Sequence, residues 1–182
     1  SCGKAAPRME VKINSNDPQN EVGEILARGT NVTLGYYKNP EATASTLDAD
    51  GWYHTGDLGI MDAEGNFFIK GRCKNMLLGS NGQNIYPEEI ESRLDNMNLV
   101  SESIIIQKGD KLYALIHPDY DAAKSLGLNE EDIKEVLGDN IKQLNTVVPA
   151  YEKVSGFKIW EDEFEKTAKK SIKRYLYMDA EI

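Results

Sequence analysis

Pro87-Glu88-Glu89-Ile90-Glu91-Ser92-Arg93-Leu94-Asp95-Asn96-Met97 is followed by two apolar runs, Ser103-Ile104-Ile105-Ile106-Gln107 and Lys111-Leu112-Tyr113-Ala114-Leu115-Ile116-His117. The reading of this stretch decides the fold class. Proline and two carboxylates suit a first helical turn, where N–H groups lack acceptors and the macrodipole is positive. With Ile90, Leu94 and Met97 on one face, they predict a helix from about residue 87. The two apolar runs flank Lys108-Gly109-Asp110 and predict an antiparallel hairpin. Downstream, Asn129 is placed to cap a helix opened by Glu130, Glu131 and Asp132, with the stripe Ile133, Val136, Leu137, Ile141 and Leu144. Pro149 lies just beyond its end, and Val154 to Trp160 reads as a third strand.

Upstream, residues 10 to 70 carry short runs of alternating polarity, such as Val11-Lys12-Ile13, Glu24-Ile25-Leu26-Ala27-Arg28 and Asn66-Phe67-Phe68-Ile69-Lys70, separated by Asn, Asp, Gly and Pro. That pattern predicts strands and turns. Asp48-Ala49-Asp50-Gly51 and Asp62-Ala63-Glu64-Gly65 lack the spaced ligands and distal Glu of a calcium loop and read as turns. The fold class is α+β in two units that meet between Gly71 and Gly79. Residues 1–70 are expected to form a small antiparallel β-unit. Residues 71–182 are expected to form an α+β unit with a three-stranded sheet from about 103–108, 111–117 and 154–159.

Composition narrows the function classes. The chain has 182 residues, 40% hydrophobic and 28% charged, as in ordinary globular domains, with a net charge of -9. No apolar run approaches the roughly 20 residues of a membrane span. The negative charge repels phosphate backbones, so nucleic acid is not an expected partner. Cys2, Cys73, His54 and His117 lack the spacing of a zinc site, so no metal is assigned to them; free thiols in a reducing cytoplasm are the reading.

The densest polar constellation is Trp52-Tyr53-His54-Thr55-Gly56-Asp57-Leu58-Gly59. Its glycines permit close backbone approach, and the Asp57 carboxylate offers two acceptors that suit a diol. Taken singly, Thr-Gly-Asp is turn chemistry and Arg72 a surface ion pair. The ordered series alters that reading. It runs from Gly23-Glu24-Ile25 with Gly29 and Gly35-Tyr36-Tyr37, through Tyr53-His54-Thr55-Gly56-Asp57 and Gly71-Arg72-x-Lys74, to Asn81-Gly82 and on to Glu91. It closely resembles the adenylate-forming enzymes, which comprise acyl-CoA synthetases, adenylation domains of peptide synthetases and luciferases. The form Asn81-Gly82-Gln83-Asn84-Ile85-Tyr86-Pro87-Glu88-Glu89-Ile90-Glu91, with Ile172-Lys173-Arg174-Tyr175-Leu176-Tyr177, looks most like bacterial long-chain fatty acid CoA ligases.

The resemblance implies a two-step reaction. A carboxylate attacks the α-phosphate of ATP to give an acyl-adenylate and pyrophosphate, and the CoA thiol then displaces AMP. ATP with Mg2+ and CoA are the implied cofactors, and a fatty acid is the implied substrate. By motif position, Asp57 would hold the ribose hydroxyls and Arg72 the ribose or phosphate. Lys74 would be the hinge of a C-terminal lid over residues 71–182, and Gly82 would line the path of the pantetheine. Residues 1–70 would be the last β-subdomain of the large N-terminal domain. The remainder of that domain is the implied partner, and this chain alone is expected to be inactive.

The family's phosphate-binding Ser/Thr/Gly-rich loop and the Tyr-Gly-x-Thr-Glu segment that follows it are not in this sequence. The resemblance places Ser1 shortly after that segment. The family's terminal motif, Lys-Thr-x-x-Gly-Lys-Ile-x-Arg, carries a second lysine that stabilises charge during adenylation. Here Lys166-Thr167-Ala168-Lys169-Lys170-Ser171-Ile172-Lys173-Arg174 places Ser171 at that position. Lys170 is the candidate replacement if a bulge brings it in. Lys169 and Lys173 are rivals, and Lys173 would share a face with Ser171 in a regular strand. An amino-acid-activating domain and a non-catalytic lid acting as a binding module are the alternative functions.

Overall fold

The computed structural model describes all 182 residues. Its contacts divide the chain into Ser1–Met76 and Leu77–Ile182.

In the first unit, β1 (Met9–Asn14), β2 (Gly23–Gly29), β3 (Tyr53–Met61) and β4 (Phe67–Arg72) form one antiparallel sheet in chain order. The core is small, with Ile13, Leu26, Leu58 and Phe67 buried. The two Asp-x-x-Gly segments are turns. Gly51 N–H donates to Asp48 O at 3.2 Å and Gly65 N–H to Asp62 O at 3.0 Å, and both glycines have positive φ. A seven-residue helix, α1 (Pro40–Thr46), interrupts the strand-and-turn pattern expected here. Asn39 caps it by accepting from Ala42 N–H, and Pro40 opens it, so the local signal was an Asn-Pro start rather than an apolar stripe.

The expected boundary at 70/71 falls inside β4. That strand continues through Gly71 and Arg72 into a 3-10 turn, Cys73–Asn75, and the contacts divide only after Met76.

The second unit opens with two-residue strands, β5 (Leu77–Leu78) and β6 (Asn84–Ile85), followed by α2 (Pro87–Leu94). Strands β7 (Val100–Lys108) and β8 (Lys111–Pro118) form the expected hairpin. A short helix not expected from the sequence, α3 (Tyr120–Ser125), capped by Asp119, leads to α4 (Glu130–Val147). The side chains of Asn129 and Asp132 form a reciprocal capping box on α4. This helical crossover returns the chain to β9 (Val154–Ile159), which therefore runs parallel to β8.

The sheet order is β7-β8-β9, with both faces covered. Ile105 packs with Ile90, Leu94, Leu137 and Leu144 on the helical face, while Ile104 and Ile106 pack with Phe164 and Tyr177 of the tail. Double burial explains why Ile104, Ile105 and Ile106 form a continuous apolar run instead of alternating with polar residues. No helix is long and apolar enough to cross a membrane.

Candidate active site

The Tyr53-His54-Thr55-Gly56-Asp57 segment lies within β3, not in a turn between elements. Its turn-like chemistry appears instead as a strand irregularity. The β2/β3 register shifts between Glu24 and Leu26, and Gly56 has φ +71°, a left-handed conformation that favours glycine. Two side chains, Glu24 and Thr55, hold this irregular backbone. Glu24 Oε1 accepts from Gly56 N–H at 3.0 Å, and Glu24 Oε2 lies 2.8 Å from His54 Nδ1. Thr55 Oγ1 donates to Ile25 O at 2.7 Å and accepts from Asp57 N–H at 3.0 Å.

Asp57 thereby sits opposite Arg72 on β4, and Arg72 Nη1 meets Asp57 Oδ1 at 2.5 Å. The two side chains remain 31% and 45% exposed. A Cβ at Gly56 would come within 3.4 Å of Arg72 Nη2, so the glycine also leaves room for the guanidinium. Sequence reasoning included Glu24 in a motif without giving it a task. Its link to Gly56 crosses 32 residues and depends on strand register, for which no local signal exists.

Lys74 lies exposed in the 3-10 turn, two residues before the division between units. Beside it, burial pushes the Cys73 thiol above its usual range and the Glu24 carboxylate adds to the effect, which leaves little thiolate at neutral pH.

Gly82 is in the second unit, at the tip of the β5/β6 turn. That turn is closed by Gly79 N–H donating to Gln83 O at 2.8 Å and Gly82 N–H donating to Gly79 O at 2.9 Å. Gly82 has φ +78° and open space where a Cβ would stand. A cavity of about 370 Å³ adjoins this turn, with Asn81, Gln107, Lys111, Tyr151, Lys153 and Ser155 in its lining.

The terminal lysine-rich segment is a tight turn, not a regular strand. A bridge between Lys166 and Ile172 closes it, Thr167 N–H donates to Ser171 O at 2.8 Å, and Lys170 N–H donates to Thr167 O at 2.9 Å. Lys170 has φ +62°, and it occupies the place of the glycine in the motif Lys-Thr-x-x-Gly-Lys. The turn retains the glycine-like backbone although the residue has changed. Lys166 pairs with Glu102 at 2.7 Å and Lys173 with Glu165 at 2.9 Å, whereas Lys169 and Lys170 lie exposed on the turn. Lys173 therefore does not share a strand face with Ser171, and its ammonium is already engaged. Asp57 and Arg72 are thus brought together in the first unit, and Gly82 and Lys170 belong to the second.

Residues 74–180 match the family described as the AMP-binding enzyme C-terminal domain. A 7a-methyl-1,5-dioxo-octahydro-1H-inden-4-yl-propanoyl:CoA ligase of Rhodococcus jostii is 44% identical over 134 residues, which cover 73% of this chain and 25% of that protein. A 2-succinylbenzoate–CoA ligase of Bacillus cytotoxicus is 39% identical over 119 residues, 64% of this chain and 24% of that protein. The chain therefore spans about a quarter of the length of these relatives. Among solved structures, O-succinylbenzoate coenzyme A synthetase from Bacillus subtilis in complex with AMP superposes with a TM-score of 0.74 at 26% identity. That match covers 98% of this chain and 35% of the other. With more than half of its residues matched by the family and 98% of its length matched in fold, the chain belongs to the AMP-binding enzyme C-terminal domain family, within the adenylate-forming superfamily.

Proposed function

We propose that the chain is the C-terminal part of an ATP-dependent acid-thiol ligase, which forms an acyl-adenylate and then transfers the acyl group to CoA. The Asp57–Arg72 pair carries this reading, because a carboxylate and a guanidinium side by side match a ribose diol next to phosphate. The pair also fits an exchangeable site. A half-exposed ion pair contributes only about 0–1 kcal/mol to a fold, so a nucleotide can replace the contact at small cost. Asp57 would accept from the ribose hydroxyls, and Arg72 would turn to the ribose or phosphate.

ATP, with its Mg2+, would supply the AMP that activates the acid as pyrophosphate leaves, and CoA would supply the thiol that displaces that AMP. In this chain, Lys74 is the hinge residue of the lid. The exposed Lys170 is the cation that replaces the lysine expected at Ser171. Gly82, with open space where a Cβ would stand and beside a cavity with two lysines in its lining, is suited to the pantetheine path and its phosphate-bearing end.

The acid we assign is a long-chain fatty acid, on the form of the Asn81–Glu91 and Ile172–Tyr177 segments. A second reading, a ring-bearing propanoate, is favoured by the 44% identity to the indenyl-propanoyl:CoA ligase. Acyl-CoA formation by the full-length protein, assayed with ATP, CoA and a panel of both acid types, separates them. Turnover of palmitate alone supports the first reading and turnover of the bicyclic propanoate alone the second; no thioester from any acid overturns the ligase assignment.

A further inference from the structure

We infer that Glu91 and Arg174, which jointly pair the outward-facing backbone of Ile105, are positioning residues that hold the Lys170 turn in place for adenylation. The inference rests on the ligase reading above and assigns a task to residues that the reading leaves without one.

Strand β7 is at the edge of its sheet, and an edge strand presents unpaired N–H and C=O groups. At Ile105 both are taken by side chains. Its N–H donates to Glu91 Oε1 at 2.6 Å, and its C=O accepts from Arg174 Nη1 at 3.2 Å. The same two side chains form a fork-to-fork pair, with Arg174 Nη1 donating to Glu91 Oε1 at 2.7 Å and Nη2 to Oε2 at 2.6 Å. Together they do for Ile105 what one residue of a neighbouring strand would do. Glu91 comes from α2 and Arg174 from the tail, 83 residues later.

The pair is deeply set, with side chains 9% and 17% exposed. Burial pushes the Glu91 carboxyl above its usual range, against the pull of Arg174. Burial likewise opposes the charge on Arg174, but Glu91 outweighs it and holds the guanidinium more firmly protonated. Neither charge is tolerable there without the other. A bidentate fork also fixes direction, which a point charge does not.

That direction is passed to the turn through a short run of backbone. Arg174 N–H donates to Ile172 O at 2.9 Å, Lys173 N–H to Glu165 O at 2.8 Å, and Ile172 bridges Lys166 to close the turn that carries Lys169 and Lys170. The tail is also held by Tyr177 Oη, which accepts from Glu165 N–H at 2.7 Å, by the more exposed Lys166–Glu102 pair, by Lys108 Nζ and Lys158 Nζ donating to Met178 O and Glu181 O, and by the packing of Ile172 and Tyr177 beside Ile104 and Ile106. Among the tail's ties only the Arg174 fork is both bidentate and buried.

The test uses the full-length protein with Arg174→Ala, Arg174→Lys and the double change Glu91→Gln/Arg174→Gln. The double change replaces the ion pair with two neutral hydrogen-bonding amides and leaves neither Glu91 nor Arg174 as an unpaired charge, so it guards against simple misfolding. In the alanine and double variants, the amides of Thr167, Lys170 and Lys173 should exchange with deuterium at least about tenfold faster, while α2 and β8 keep their protection. The adenylation kcat should fall about 100-fold, the cost of a displaced catalytic group, with the KM for ATP little changed. CoA-dependent consumption of preformed adenylate should persist, and Arg174→Lys should recover part of the loss. Unchanged exchange at these three amides in a folded variant overturns the inference, as does an equal loss in both half-reactions. If the unaltered protein forms no adenylate, the ligase reading fails, and the exchange result alone decides whether the pair tethers the turn.

Discussion

Glu24 receives the N–H of Gly56 and the imidazole of His54 on the two oxygens of one carboxylate, and so fixes the strand irregularity that precedes Asp57. Glu24 thereby sets where Asp57, the proposed ribose acceptor, stands. Glu24→Ala in the full-length protein should weaken ATP binding by roughly tenfold, the equivalent of one hydrogen bond's contribution. Isothermal titration calorimetry reads this directly. An unchanged Kd in a folded variant would show that Asp57 is positioned without Glu24.

Asp57→Ala removes the acceptor itself. Because its partner Arg72 is nearly half exposed and can turn to solvent, the melting temperature should stay close to that of the unaltered protein. AMP affinity should fall by roughly 1.5–3 kcal/mol for each charge-assisted hydrogen bond lost. A large stability loss with intact affinity would recast the Asp57–Arg72 pair as a structural link between β3 and β4.

Lys74 occupies a 3-10 turn in this conformation, and proline's φ near −65° lies within the 3-10 range. Lys74→Pro should fix φ at residue 74 and so resist any rotation there, and it also disfavours the helical conformation of Cys73 before it. Thioester formation should fall far more than adenylate formation when the half-reactions are assayed separately. Equal losses would mean that the lid turns about some other residue.

Much of this architecture was legible from local chemistry. Pro87, Glu88 and Glu89 marked the start of α2, Asn129 marked that of α4, and the three apolar runs at 103–108, 111–117 and 154–159 fall within β7, β8 and β9. Helices α1 and α3, of seven and six residues, are too short to show a periodic apolar face, and each depends on a single capping side chain, Asn39 or Asp119. Asp57 and Arg72 were visible as members of spaced motifs, but their contact is a matter of β3/β4 register. The links from Glu24 to Gly56 and from Glu91 to Arg174 join residues 32 and 83 positions apart, and only the folded sheet makes them neighbours. The terminal segment misled a strand-based reading because Lys170 holds a glycine-like φ that turns the chain there.

That φ gives a test of the substituted lysine. Lys170→Gly relieves the left-handed strain and removes the charge together, so the turn should be preserved while adenylation falls by roughly 10²–10³-fold. Adding Ser171→Lys to it recreates the Gly-Lys order of the family motif and should restore adenylation. Lys169→Ala is the control. Full adenylation in Lys170→Gly would remove Lys170 from the reaction and leave the basic turn as a solvated or docking surface.

Asp95 provides a pH-dependent test of the second unit that is independent of catalysis. Burial pushes its carboxyl up to about 6, the Ser103 hydroxyl donating to Oδ1 at 2.6 Å pulls it down, and the charges of Glu91 and Glu102 push it further up. The folded state therefore holds this proton more tightly than the unfolded chain, whose aspartate titrates near 3.8. Below both values the group has no effect on stability. As pH rises through this window, the unfolded state releases its proton first, so folding loses stability, and the loss is complete above the folded value. Asp95→Asn keeps an acceptor for Ser103 and removes the titration. Urea unfolding should find the variant more stable than the unaltered protein at about pH 7.5, with the difference shrinking steadily towards about pH 4. Comparing the two proteins at each pH cancels the other titrating groups. A pH-independent difference would mean that Asp95 is ionised in the folded state at no cost, and that water reaches it beside Ser103.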